Sequence, residues 1–289
     1  MPFLPLRPVR RRRVPGAPRA LVVAAAGAIL ALAIAGCSAQ PAEPTPGDAE
    51  TAGGLAHVHG AHADPDTGKL LLASHHGLFD ATREPAERIG PEVDLMGFTA
   101  DGNGAFYASG HPGPGVDLPN PVGLLKSTDG GETWDPLSRQ GESDFHALTT
   151  TRDGIVGFDG ELRTSADGTA WETVRNAPKP YALAGTPEGR VVLATTEDGL
   201  WRSEDGGASW SPPSGGPVLL AAAFVDARTV AGVAPDGAVY ISDDSGETWA
   251  ETGASGGQPA AVTGTRDDAG EVTVWVVEAD GTFEEVRIP

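Results

Sequence analysis

The sequence predicts an all-β fold, a six-bladed β-propeller, on three observations. From Leu55 onward, short apolar runs alternate with Gly, Asp and Pro turns, and no helical period lasts long enough for a helix. A nine-residue line recurs four times, as KSTDGGETW (126–134), RTSADGTAW (163–171), RSEDGGASW (202–210) and ISDDSGETW (241–249). The units built around these lines are roughly 40 residues long with room for four strands, the size of one propeller blade.

Aligning the lines on their tryptophans puts their anchor residues, second in each line, at Ser127, Thr164, Ser203 and Ser242, spaced by 37, 39 and 39 residues. A "G-x-apolar" strand start precedes each anchor (GLLKS, GELRT, GLWRS, GAVYIS). Before these lie apolar strands at 105–110, 154–158, 190–196 and 228–234, and before those another set at 94–100, 144–150, 181–186 and 219–225. Two further units lack the line but keep the strands, at 57–90 and 260–288. The last of them ends after its third strand, so its outer strand is either missing or supplied from near the N-terminal tether.

The residues before the propeller read as a leader and a tether. Arg10 to Arg13 and Arg19 make a cationic start, followed by a 17-residue uncharged apolar run at 20–36. That is short for a spanning helix, which needs about 20 residues. The run ends in Ile-Ala-Gly-Cys at 34–37, and Cys37 is the sole cysteine of the 289 residues. The domain therefore has no disulfide and no zinc–thiolate site. Residues 38–54 are dense in Pro, Ala, Gly and acid and read as a flexible linker. The expected organisation is a signal peptide at 1–36, a modified Cys37 and linker at 37–54, and the propeller at 55–289. Cleavage before Cys37 removes six Arg and no acid, leaving 14 Lys+Arg against 40 Asp+Glu. So acidic a chain argues against nucleic acid and against a polybasic hold on lipid.

The start and the repeats carry resemblances. Ile34–Cys37 resembles the bacterial lipobox, which implies a diacylglyceryl group on the Cys37 thiol and anchorage at the extracytoplasmic face of the membrane. Several acyl chains hold a protein there stably where one does not. The nine-residue line resembles the Asp-box, or bacterial neuraminidase repeat, in Ser127, Asp129, Gly131 and Trp134, in Ser203, Asp205, Gly207 and Trp210, and in Ser242, Asp244, Gly246 and Trp249. The copy at Thr164 and Trp171 has Ala166 where Asp belongs. In that family the box is a structural turn on the face away from the active site. Chemistry agrees, because Ser and Asp side chains accept from turn amides, Gly takes a positive φ, and Trp buries a large apolar face.

The face opposite the boxes collects the histidines, all seven of which lie between 57 and 146. His57 and His59 open the first strand of blade one, and His75 and His76 sit at its second turn. His111 occupies the equivalent turn of blade two, in ASGHP against ASHHG. His146 aligns with His59, and Asp94 and Asp144 align with His57. His62 is expected at the far end of its strand. Spacing of two on a strand points His57 and His59 to one side. His57, His59, His76, His111 and His146 are therefore candidate ligands for Zn or Cu, with carboxylates completing the set. The alternative is that these rings hydrogen-bond at the pocket mouth or bind a sugar or anion. His75 and Tyr181 are candidate ligand-binding residues. The loop at 110–123 holds Pro112, Pro114, Pro119 and Pro121 and is expected to wall the rim.

Across 55–289 the chain resembles sialidase-type six-bladed propellers. It resembles more closely bacterial lipoproteins grouped with the glycosyl hydrolases of this repeat class, which share its H-x-H-G strand (57–60) and H-x-G-L-F turn (from His76). The resemblance implies a surface glycoside hydrolase or glycan-binding protein. A sialidase needs three Arg to clamp a carboxylate, and this chain lacks an Arg-Ile-Pro start and carries His and Asp at the rim. For a neutral glycan, Asp94 and Asp144 are the candidate acid and base. The other readings are a non-enzymatic binding or assembly module, a role such propellers also serve in photosystem assembly factors, and a metal-binding surface protein.

Overall fold

In the computed structural model, which describes residues 55–288, every regular element is a β-strand. The signal peptide, Cys37 and the linker lie outside the described residues. Six antiparallel sheets follow one another along the chain. Blade one holds β1 (Val58–Ala63), β2 (Leu70–Ser74), β3 (Gly77–Asp80) and β4 (Glu87–Ile89). Blade two holds β5 (Val93–Ala100), β6 (Phe106–Pro112), β7 (Leu124–Ser127) and β8 (Asp135–Ser138). Blade three holds β9 (Ala147–Thr151), β10 (Gly154–Phe158), β11 (Leu162–Ser165) and β12 (Glu172–Thr173). Blade four has β13 (Ala182–Gly185), β14 (Val192–Thr196) and β15 (Gly199–Ser203), with only a bridge between Arg202 and Ser211 where a fourth strand would lie. Blade five holds β16 (Ala221–Phe224), β17 (Val230–Val233), β18 (Ala238–Ser242) and β19 (Ala250–Ala254). Blade six has three strands, β20 (Pro259–Arg266), β21 (Val272–Glu278) and β22 (Phe283–Ile288), so among the described residues its outer strand is missing.

The first strands pack in a closed ring, β1–β5–β9–β13–β16–β20 and back to β1. Between each pair of neighbouring blades lies one apolar layer. Leu71, Leu78, Leu95 and Phe106 join blades one and two; Val156, Leu162, Leu183 and Val192 join three and four. Leu55, Val58 and Leu72 meet Ala261 and Val277 to close blade six on blade one. The closure adds a hydrogen bond from the Val58 amide to the Ala279 carbonyl at 3.0 Å.

The repeated turns lock these layers. Ser127 Oγ accepts from the Gly131 amide at 2.9 Å, and Asp129 accepts from the Thr133 amide at 3.0 Å and hydroxyl at 2.6 Å. The turns at Ser203 and Ser242 repeat this pattern. The Thr133 and Thr248 hydrogen bonds hold the Asp129 and Asp244 carboxyls down to about 2. In each turn the glycine lies against the preceding blade at positive φ. A Cβ on Gly207 (φ +91°) would come 2.8 Å from Val156, and one on Gly246 (φ +87°) 2.7 Å from Leu193. Trp210 and Trp249 pack into the same layers.

Blade three departs from the alignment on tryptophans. Its anchor is Ser165, not Thr164: Ser165 Oγ accepts from the Gly168 amide at 2.9 Å, and Asp167 accepts from the Thr169 amide at 2.8 Å. Ser165 pairs with Ile155 as Ser127 pairs with Phe106. The turn is one residue shorter between anchor and glycine, so Asp167 does the work of the missing Asp at 166. Removing the buried Ser165 acceptor should cost about 1–3 kcal/mol, and urea unfolding should show Ser165→Ala lowering the midpoint well beyond Thr164→Ala.

Candidate functional site

The turns described above leave the opposite end of the ring to the connections that precede each inner strand and join its second and third strands. His57 sits just before β1 with φ +55°, a left-handed conformation uncommon for a side-chain-bearing residue. His59 is the extra residue of a β-bulge, because Val58 pairs with Ser74 and Gly60 with Ala73. Bulges re-aim side chains near functional sites. The expected two-residue parity is therefore not what joins these rings. His57 and His59 both converge on His75, with ring centroids at 5.0 and 4.7 Å.

His75 is the centre of the first cluster. Its Nδ1 lies 4.0 Å from Asp94 Oδ2 across the gap to blade two. One donor atom from each of His59, His75 and Asp94 lie within 4.8 Å of one another. His59 Nε2 and Asp94 Oδ1 are buried and have no hydrogen-bond partner among the described residues. Burial, then the neighbouring His75, His57 and His146, bring the His59 pKa down to about 4. Its imidazole is thus neutral, the form that ligates metals. Burial pushes the Asp94 carboxyl up, against the pull of His75 and His111.

A second cluster adjoins it on the side of blade three. Asp144 Oδ2 lies 2.8 Å from His146 Nε2 and 3.2 Å from His111 Nε2. Asp144 Oδ1 is buried and unpartnered among the described residues. The proline-rich loop after β6 reaches back, and Asn120 Oδ1 lies 2.7 Å from His111 Nδ1. Val116 and Leu118 seat that loop on the layer between blades one and two.

Of the predicted residues, the structure brings His57, His59, His75, Asp94, His111, Asp144 and His146 to one rim. His76 turns away to Glu92, at 3.1 Å, and Glu92 also takes Arg88 at 2.8 Å. Tyr181, 59% exposed, lines the same cavity as His59 and His146, a space of about 630 Å³ along the inner strands. His62 lies deeper in that channel, its ring edge-on to Phe106 at 5.8 Å and its pKa lowered by burial. The arginine lining the cavity is Arg266, which is tied to Asp226 at 2.8 Å. Sequence reasoning missed Asn120 and Glu92, since nothing but the path of the chain brings them to His111 and His76.

No protein-family model and no curated protein matches the chain. Among solved structures it is similar to YCF48 bound to D1 peptide, at 15% identity over 79% of this chain and 92% of that one, with a TM-score of 0.52. It is similar to virginiamycin B lyase from Staphylococcus aureus at 12% identity over 81% and 85%, with a TM-score of 0.50. An ancestral GH74 enzyme matches at 14% identity over 82% of this chain and 39% of that one, with a TM-score of 0.49. At such identities the first two likenesses show the propeller fold alone.

The His59 pKa sets a pH dependence. Its folded value of about 4 lies below the ordinary 6.5, so the unfolded chain takes up the proton first as pH falls. Its contribution to stability is therefore lost as pH falls from about 6.5 through 4. Urea midpoints measured with a chelator present should fall across that window, less so in His59→Ala, and the His59 ring should titrate near 4 by NMR.

Proposed function

We propose that this protein is a cell-surface lipoprotein, anchored through Cys37, whose propeller binds a divalent first-row transition-metal ion at the rim through His59, His75 and Asp94. The observation that carries the reading is the pair of buried, unpartnered acceptors, His59 Nε2 and Asp94 Oδ1, in a set whose donor atoms lie within 4.8 Å of one another. An unsatisfied buried polar atom costs about 1–3 kcal/mol, and a cation held by these residues would offset that cost. Two imidazoles and a carboxylate suit Zn²⁺ or Cu²⁺. Tetrahedral bonds of about 2.1 Å place donors about 3.4 Å apart, so the set closes by modest side-chain rotation. Three protein ligands leave a coordination position open, and His59 lines the channel cavity. An outside donor therefore has a path to the ion, as in a binding or sensing module.

The purified protein, equilibrated with Zn²⁺ or Cu²⁺ and dialysed, should retain metal by elemental analysis. His59→Ala with His75→Ala should weaken the tightest site by more than the roughly 10–100-fold typical of losing a supporting residue. A wild-type protein that retains no metal would falsify the reading.

The raised Asp94 carboxyl favours a second reading, hydrolysis of a neutral glycan with Asp94 as acid and Asp144 as base. Aryl-glycoside turnover should then fall by at least about 100-fold in Asp94→Asn and Asp144→Asn. Turnover that survives both substitutions removes these carboxylates from the chemistry.

A further inference from the structure

We infer that this protein pairs with a second copy of itself, through antiparallel union of the two β22 strands at the open edges of blade six. The pairing involves neither the rim nor its ion.

β22 ends its sheet with a row of backbone groups that face no further strand among the described residues. Such a row is a template for another strand. Four blades cover their third strand with a fourth. Blade four covers its own in part: Arg202 and Ser211 exchange amide-to-carbonyl bonds at 3.2 and 2.9 Å, and a Cβ on Gly199 would come 3.2 Å from Pro213. β22 has no such cover. Its six residues hold no proline and no lysine, and its register against β21 runs without a bulge, so the usual devices that blunt an edge are missing. The strand is also held in place. A Cβ on Gly253 of blade five would come 3.3 Å from Val286, and Glu284 accepts from the Gly256 amide at 3.1 Å. Alternation puts Phe283, Glu285 and Arg287 on the other face, and all three are exposed.

Charge decides which strand fits. Glu284, Glu285 and Arg287 would repel many strands, but β22 is complementary to itself. Residues directly opposite in an antiparallel pair lie on one face. A two-fold axis normal to the sheet keeps each residue on its own face, so positions of like parity must meet. Centred on Glu285, the pairing sets that carboxylate against its own counterpart. Centred on Val286, it sets Glu285 against the partner's Arg287 twice, Val286 against its counterpart and Glu284 against the partner's Ile288. Opposite charges across strands attract and like charges repel, which selects the second register. Glu285 already holds Arg287 of its own strand at 2.7 Å, so the four groups alternate in sign across the joint. Phe283, 41% exposed, stands diagonal to the partner's Arg287, within reach of its aliphatic stem. Six blades around one axis diverge at their outer edges, so the neighbours of blade six leave room for the second molecule. A joint of one strand pair belongs to the small, reversible class of interfaces.

Sedimentation velocity on the chain from residue 37 onward, with Cys37→Ser to exclude a disulfide, should show a monomer–dimer equilibrium with a Kd of about 10 μM to 1 mM. Glu285→Arg and Arg287→Glu each set like charges opposite one another twice, and each should weaken the dimer about 10-fold or more. An equimolar mixture of these two variants should recover it, because every substituted group then faces its opposite. Both positions are exposed, and circular dichroism checks that both variants keep the fold. A chain that stays monomeric at about 1 mM overturns the inference. Slow exchange of the β22 amides in that monomer would give the edge to residues 38–54 of the same chain. A dimer indifferent to both single substitutions, or one that the mixture does not recover, puts the contact elsewhere and overturns it as well.

Discussion

Everything in this molecule depends on the apolar layer between one blade and the next. A single blade buries neither face alone, so the ring is stable only when six wedges close on each other. The layers from blade one to blade five are each locked by a turn of the following blade, whose glycine presses on Leu78, Leu124, Val156 or Leu193. The Ser and Asp side chains around that glycine satisfy the amides of the turn, which lets the backbone approach without leaving orphaned donors. The constraint is local and repeated, and it sits entirely at one end of the ring.

The other end is released from that duty. There the connections carry rings and carboxylates instead of packed turns, drawn from blades one, two and three. The bulge at His59 and the left-handed backbone at His57 show local rules being broken where side chains converge. Behind this rim the inner strands, Ala61, Ala184 and Ala222 among them, line a cavity of about 630 Å³. The result is polar groups packed close together, several of their atoms buried.

The fold was legible because its signal is repetition, and repetition survives small errors of alignment. The one misplacement shows the limit. Counting back from Trp171 selects Thr164, but a turn shortened by one residue moves the anchor to Ser165, which its bond to the Gly168 amide and its pairing with Ile155 reveal. The site was legible as a rim and not as a constellation. His75 and His76 are neighbours at one turn, and nothing in the letters says which ring faces His59 and which faces Glu92. The parity argument paired His57 with His59 on a regular strand, whereas a bulge and a positive φ direct these rings and each meets His75. Asn120 was illegible because a proline-rich loop must fold back to bring it to His111.

The seam of the ring runs through the site. Blade six lacks a fourth strand among the described residues, and its union with blade one rests on Leu55 and Val58 against Ala261 and Val277. Val58 stands between His57 and His59, so the residues that shut the ring and those that gather at its rim are one short piece of chain. Fraying from the N-terminal side would unpack the seam and scatter the imidazoles in the same event. A ligand held by His59 and His75 would add its binding free energy to the joint that closes the circle. Occupancy of the rim and integrity of the ring are thus thermodynamically linked.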